Sequence, residues 1–486
     1  MKRRTFLKMA SAFPLFNIGC AGFGVSRARR IANGDKIRLA LVGCGSRMGH
    51  SRGHGLINEF CGEQIVCVCD PDPSNRQKVL KTIAESNEKI DIAKIRQYAD
   101  YREMFEKEGA ALDAAVVATP NHHHAPASIA AMRKGLHVYV EKPMALTVEE
   151  VESMERVSNE AGTVLQVGNQ GHSSEGMRRF VEFVQAGVFG DIREVWSYCD
   201  RVNAMSYRPP AAPPPAGVDW DLWCGPARVC DYYRGNEDHQ GMHPHDWHSW
   251  IGYGNGSIGN MGTHLLDAAF WALELYRTAP ESVVAPAVRW GAEGSWSLQT
   301  HVVWKFPAHG RFAPLTMHWY DGLAEGAKIA KKYVDRIGCC RRREYQFLPP
   351  VIEEMEKRHG VRLSALGSVF IGEKGSAYIG AWGESLQVFL DRPGSGALAS
   401  VPKTLPRERR MTHGADWLRA IRNPDRPCGC DTGYSAPLAK AVLMGNIAPL
   451  AGTGKVLKWN GRRIVNDEDA NRHLATEYRK GWEIRA

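Results

Sequence analysis

The stretch from Lys36 to Asp70, KIRLALVGCGSRMGHSRGHGLINEFCGEQIVCVCD, constrains this chain more than any other. Ile37 to Val42 is a short apolar run ending at a glycine cluster, the pattern of a buried parallel strand. Gly43, Gly45 and Gly49 follow. Glycine accepts positive φ and carries no Cβ, so the backbone can turn sharply and lie against a pyrophosphate whose charge meets a helix N-terminus. Ser46, Arg47 and Met48 sit inside that turn and join Gly43 and Gly45 as candidate cofactor contacts. Ile65 to Cys69 is the next apolar run, and Asp70 ends it, placed to accept hydrogen bonds from adenosine ribose hydroxyls. An acid there repels a 2′-phosphate and favours NAD over NADP, while nearby Arg76 keeps NADP open. The turn Gly-Cys-Gly-Ser-Arg-Met-Gly is one residue longer than G-x-G-x-x-G, so a tight turn that binds nothing is the alternative reading.

The pattern then repeats. Ala111 to Ala118, His137 to Val140 and Thr163 to Val167 read as buried strands, Ser128 to Lys134 lies in a helix, and Thr147 with Glu150 forms a capping box. Strands alternating with helices imply a parallel sheet, which binds ligands beyond its C-terminal strand ends. Those ends carry Gly43, Asp70, Thr119-Pro120-Asn121 and Glu141-Lys142-Pro143, so four polar clusters converge on one edge.

A chain of 486 residues supports more than one domain. Residues 36–171 read as a dinucleotide-binding domain, residues 172–450 as an α+β domain and residues 451–486 as a C-terminal tail. The second region opens with a helix from Ser174 to Ala186, stopped by Gly187. Alternating runs at Ile192 to Asp200, Ser282 to Arg289, Leu298 to Phe306, Leu315 to Trp319 and Ser368 to Ile379 suggest a largely antiparallel sheet. Ala211 to Gly259 is a long loop rich in proline, tryptophan and histidine, and its aromatics argue against disorder. Ala324 to Gln346 reads as a basic insertion and Asp431 to Leu450 as a late helix packing back on the first domain. The fold class is therefore α/β, a Rossmann domain followed by an α+β domain.

Residues 1–30 read as an export segment. Lys2-Arg3-Arg4-Thr5-Phe6-Leu7-Lys8 resembles the twin-arginine motif, and Met9 to Ile18 is an apolar stretch too short to span a bilayer. The route resembled here carries folded proteins, which suits a chain that acquires a nucleotide before leaving the cytoplasm for the periplasm or cell envelope. Cys20 is a candidate lipid-attachment site, although Asn17 stands where leucine is usual, and an ordinary cleaved signal is the alternative. The net charge of +9 draws on this segment and on Arg341, Arg342 and Arg343, so no nucleic-acid partner is expected. Twelve cysteines are scattered without a disulfide framework, and Cys428-Gly-Cys430 has the wrong spacing for a zinc knuckle, so they read as buried, inert thiols.

Taken in order, the glycine turn, Asp70, Ala118-Thr119-Pro120-Asn121 with His124, Glu141-Lys142-Pro143 and Asn260-Met261-Gly262-Thr263-His264 resemble the glucose-fructose oxidoreductase, inositol dehydrogenase and rhizopine-catabolism family, Gfo/Idh/MocA. Gly168-Asn169-Gln170-Gly171-His172 and Asp219-Trp220-Asp221-Leu222-Trp223 look like its exported bacterial branch. The resemblance runs from about Lys36 to Leu450. It implies bound NAD, with Thr119, Pro120, Asn121, His124, Glu141, Lys142 and Gln170 lining the cofactor, and a homo-oligomer by analogy. It also implies Lys142 as a lysine beside the nicotinamide and His264 as the base that takes a substrate hydroxyl proton.

The chemistry stands without the analogy. Hydride leaves a secondary alcohol only as its hydroxyl proton is removed; an imidazole accepts that proton and an ammonium stabilises the developing alkoxide. A strand-end lysine in solvent and a helix-packing histidine are the bland alternatives. Asn260, grouped with Lys142 and His264 as a candidate catalytic residue, stands where the family pattern has Asp; it can hydrogen-bond a sugar hydroxyl but carries no charge to raise the basicity of His264. Asp267, one turn beyond His264, is expected either to orient that imidazole or to be a plain helix carboxylate. His243-Pro244-His245-Asp246-Trp247-His248 holds metal-ligand residue types, but its spacing matches no closed-site motif and a sugar-binding loop is the better reading. No metal is expected. Trp223, His245 and Trp247 are candidate substrate contacts with Lys142, Asn260 and His264, core packing being the alternative for the tryptophans. Three functions follow as expectations: an exported oxidoreductase acting on a carbohydrate hydroxyl with tightly held NAD; a glycosidase that oxidises transiently, eliminates the aglycone and adds water; and a non-catalytic sugar or dinucleotide sensor. The chain lacks the Asn-His-Tyr-Pro-Thr-His pattern of glycoside hydrolase family 109, which uses the second chemistry.

Overall fold

The structure, a computed structural model, describes residues 25–49, 55–392, 398–407 and 412–484. The twin-arginine stretch and Cys20 lie outside the described residues. The first apolar run forms β1 (Arg38–Val42), and the glycine turn leads into the short helix α1 (Ser46–Gly49). After α2 (Ile57–Phe60) come β2 (Gln64–Cys69), α3 (Pro73–Ser86), β3 (Arg96–Tyr98) and α4 (Tyr101–Glu108). The second half adds β4 (Ala114–Val117), α5 (His124–Arg133), β5 (His137–Glu141), α6 (Val148–Ala161) and β6 (Leu165–Gly168). All six strands pair in parallel, in the order β3-β2-β1-β4-β5-β6. This is the doubly wound arrangement, whose order reverses beside β1, and the expected Rossmann domain is present. Thr147 caps α6 with the reciprocal Glu150 bonds read from the sequence.

The second region begins with α7 (Glu175–Gln185) and β7 (Ile192–Cys199). The long aromatic loop contains only the one-turn α8 (Trp220–Cys224) and a 3-10 turn at Asp246–Ser249 before α9 (Gly256–Ala272). Next come β8 (Ser282–Trp290), β9 (Ser297–Phe306), β10 (Leu315–Gly322), α10 (Val351–His359), β11 (Gly367–Gly372), β12 (Gly375–Ile379) and β13 (Gln387–Leu390). The chain closes with α11 (His413–Arg422), α12 (Thr432–Ala451) and β14 (Leu457–Lys458). The sheet order is β13-β12-β11-β7-β10-β9-β8-β14, antiparallel except for β7 beside β10. The expected single strand from Ser368 to Ile379 is two, because Gly372 and Gly375 pair across a hairpin and Gly375 takes a φ of 151°. Residues 457–458 add the edge strand β14, and Trp482 packs edge-on against Tyr101 and His123 of the first domain.

One continuous apolar core joins the two sheets through α6, α7, α9 and α12. As expected, α12 returns to the first domain, packing on α6 and β6 as well as on α9 and β8. It is apolar all round and almost wholly buried, as a helix wedged between domains must be. A polar clamp holds the segment at 398–407 on α7. The fully buried Glu182 carboxylate accepts from Arg407, Arg179 and the backbone N–H groups of Thr404 and Leu405 at 2.7–3.0 Å. These donors pull its pKa down to about 2.

Removing that charge leaves Arg407 with an incomplete partner. Glu182→Gln is expected to cost about 3 kcal/mol at neutral pH, read as urea unfolding. Because the folded pKa lies below the ordinary 4.5, the carboxylate's contribution is complete above pH 4.5 and is lost as pH falls toward 2. The difference between wild type and variant should therefore shrink across that window.

Candidate active site

The glycine turn crosses the C-terminal edge of the first sheet. Gly43, at φ 82°, passes so close to β4 that a Cβ would meet the Ala118 and Thr119 backbone at 2.7 Å. Gly45 has open space where a Cβ would stand, the clearance a pyrophosphate needs to approach the backbone. Asp70 accepts from Cys44 N at 2.7 Å and from Asp72 N at 2.8 Å, so it braces the glycine turn from the end of β2. Burial raises its pKa. Arg47 donates to Glu141 Oε1 at 2.9 Å, and Gln170 donates to the same oxygen at 2.7 Å and to Tyr139 OH at 2.8 Å. Glu141 Oε2 and Thr119 Oγ1 are buried with no partner among the described residues. Two orphaned acceptors beside an open glycine turn fit the hydroxyl and amide groups of a dinucleotide. Asn121 accepts from Asn255 N, and His124 bridges Thr119 O at 2.9 Å and Pro143 O at 2.6 Å, tying the β4 end to the turn that presents Lys142. Pro120 opens the 3-10 turn carrying Asn121, and Met48 is the buried residue of α1.

Lys142 follows β5, and its peptide bond to Pro143 is cis. Its ammonium donates to Asn260 Oδ1 at 2.8 Å and to Asn260 O at 3.0 Å, while Asn260 Nδ2 donates to Asn203 Oδ1 at 3.0 Å. Asn260 thus uses its oxygen on Lys142 and its amide on Asn203, which makes it a positioning residue. Burial lowers the Lys142 pKa to about 8, with Glu141 opposing that shift and Arg47 adding to it.

On the same helix, one turn on, His264 donates from Nδ1 to Asn169 Oδ1 at 2.8 Å. Asn169 Nδ2 faces Thr263 O, which sets the amide's direction, so the imidazole proton rests on Nδ1 and Nε2 is the basic nitrogen. Burial and then the Lys142 charge push His264 well below the usual imidazole range. It is neutral at physiological pH and able to accept a proton. The ammonium at the end of β5 and the imidazole on α9 are thus brought within electrostatic range of each other across the domain boundary.

Other expected residues are engaged by other partners. Asp267 does not orient His264: it accepts from His172 Nδ1 at 3.0 Å and from Tyr434 OH, because its position on α9 turns it toward α12. Trp223 is 3% exposed and Trp247 8% exposed, both within an aromatic cluster. Trp223 stacks on Trp220 at 4.3 Å and donates to His243, and its carbonyl faces the imidazoles of His122 and His123. His245 pairs with Asp246 at 3.5 Å, and His243 reaches Asp72 at 3.1 Å. These partners account for His243 and His245, whereas His248 stacks on Trp247 with its Nδ1 buried and unpartnered among the described residues, within range of the Lys142 charge; among the described residues no group of three or more His, Cys, Asp or Glu could hold a metal ion. Three residues of the site were not singled out by the sequence. Asn169 lay inside a stretch that the sequence marks, Asn203 had no local signal, and Trp382, 41% exposed, has its ring 5.5 Å from that of His264.

Comparison with known proteins bears out the family resemblance over the first domain. Residues 37–169 match the Gfo/Idh/MocA family model, described as an oxidoreductase family with an NAD-binding Rossmann fold. A glycosyl hydrolase family 109 protein of Shewanella baltica is 27% identical over 212 residues, 39% of this chain and 44% of its own length. One from Shewanella woodyi is 28% identical over 167 residues, 32% of each. The chain thus spans less than half the length of these curated relatives. Among solved structures, a WlbA dehydrogenase from Chromobacterium violaceum with NADH and UDP-GlcNAcA superposes with a TM-score of 0.55 at 17% identity, covering 90% of this chain and 99% of that one. An inositol dehydrogenase homologue from Azotobacter vinelandii with NADH and myo-inositol gives 0.51 at 17% identity, covering 90% and 100%. At such identities the likeness is one of fold.

Two outcomes follow from the geometry. Lys142→Met should raise the midpoint of thermal unfolding below pH 8, where the wild type carries a desolvated charge. Between pH 8 and 10.5 the unfolded lysine still holds a proton that the folded one has lost, so the gain fades and is gone above 10.5. Asn169→Ala releases the His264 ring and should lower turnover about thirtyfold, a loss of the size expected for an orienting partner, with fold and nucleotide content unchanged by circular dichroism and absorbance.

Proposed function

We propose that this chain, whose first domain is a Gfo/Idh/MocA NAD-binding domain, is an exported oxidoreductase that acts on a carbohydrate hydroxyl. The observation that supports the reading is that Lys142, bonded to Asn260 on α9, acts electrostatically on His264 one turn further along that helix, and that Lys142 follows the same sheet edge as the glycine turn. Gly43, Gly45, Asp70, Thr119 and Glu141 would hold NAD, which when bound supplies the acceptor for the carbinol hydride. His264 Nε2 takes the hydroxyl proton, and the imidazole becomes a cation only as the alkoxide forms. The Lys142 ammonium, fixed by Asn260, stabilises that alkoxide. Export rests on the twin-arginine-like start and favours a nucleotide held tightly and restored in each cycle, since free NAD is scarce outside the cytoplasm.

The relatives named glycosyl hydrolase family 109 favour a second reading on the same residues. Transient oxidation of a ring hydroxyl acidifies the neighbouring C–H, elimination expels the aglycone, and water addition precedes return of the hydride. A sensor needs neither an ammonium nor an imidazole at this position, so the pair favours an enzyme.

Purified NAD-loaded protein incubated with free sugars and aryl glycosides separates the readings. Accumulating NADH or keto-sugar marks a dehydrogenase. Aglycone release with solvent deuterium entering the ring and no net NADH marks the glycosidase. His264→Asn is expected to lower turnover about a thousandfold while nucleotide content stays at the wild-type level. Unchanged turnover in that variant would remove His264 from the mechanism.

A further inference from the structure

We infer that Trp382 is the face on which the substrate ring lies, and that the site therefore takes sugars in their closed pyranose form. The inference rests on the reading of Lys142 and His264 as the groups that act on a carbinol. Trp223 and Trp247 are spent on packing within the aromatic cluster. Trp382 differs: it leaves 41% of its surface in solvent while its ring centroid stands 5.5 Å from that of His264, at an interplanar angle of 47°. An indole held in water beside a buried imidazole has apolar area to offer a ligand.

The turn that carries it is held in place. Trp382 N donates to Glu384 Oε2 at 2.8 Å, Gly380 N to Glu384 O at 2.9 Å and Gly383 N to Gly380 O at 3.1 Å. Gly171 lets this turn approach, since a Cβ there would meet Trp382 Cα at 2.9 Å. Gly171 lies two residues beyond Asn169, so one short segment positions both the imidazole and the indole. A pyranose presents C–H groups on its faces and hydroxyls around its rim. Laid on Trp382, it turns a rim hydroxyl toward His264, whereas an open-chain polyol has no such face to stack.

The test compares wild type, Trp382→Ala and Trp382→Phe as NAD-loaded full chains against methyl and 4-nitrophenyl glycopyranosides and the matching alditols. Affinity is read by calorimetry alongside KM and kcat. The expected result is that Trp382→Ala weakens pyranoside binding and raises KM about tenfold or more, that kcat changes little, and that Trp382→Phe recovers most of the affinity. Wild-type affinity in Trp382→Ala, or alditols binding as well as pyranosides, overturns the inference. So does a change in sedimentation with affinity unaltered, which would assign Trp382 to a contact between copies of the chain. Trp382-dependent binding without turnover would uphold the inference while overturning the oxidoreductase reading.

Discussion

The hydrogen bonds from the Lys142 ammonium to Asn260 are the interaction on which the rest of the site depends, because they cross from the end of β5 to the second turn of α9. A buried ammonium is tolerated only when oxygens satisfy it, and here one residue supplies both a side-chain and a backbone oxygen. His124 holds the Pro143 turn from below, and Asn255, at the start of α9, joins the same region through Asn121 and Leu146. The two domains are thus registered to each other at the point where chemistry would occur.

That registration gives Asn260 a meaning. An aspartate at this position would place a negative charge against Lys142 and draw its pKa upward, whereas an amide leaves burial to set it near 8. His264 also loses a carboxylate neighbour and takes its orientation from an amide, Asn169. Both groups stay available in their useful forms near neutrality, the ammonium charged and the imidazole neutral. Asp267, the other acid on this helix, is committed to His172 and Tyr434.

The readings that held came from local pattern. Glycine spacing, the acid after β2 and the alternation of apolar runs with helical segments specify a doubly wound sheet, because backbone conformation and burial periodicity act over a few residues. The α12 helix was legible from its long apolar run, and its return to the first domain followed from having no polar face to leave in water. The hairpin at Gly372 to Gly375 was missed because two short strands joined by only two residues, Glu373 and Lys374, look like one long stretch. Tryptophan-rich segments misled for a related reason: Trp223 and Trp247 carry the same local signature whether they pack or bind.

What the amino-acid order settled unaided was the nucleotide-binding domain; strand-end position and residue chemistry also sufficed to single out Lys142 and His264, the pair proposed to react. Tertiary structure alone decided which neighbours tune that pair. Asn169, Asn203 and Trp382 come from three separate segments, up to 213 residues apart in number, and meet His264 or Asn260 only after both sheets pack on their shared helices. Side-chain contacts over such separations depend on how helices and sheets dock, and no local periodicity encodes that.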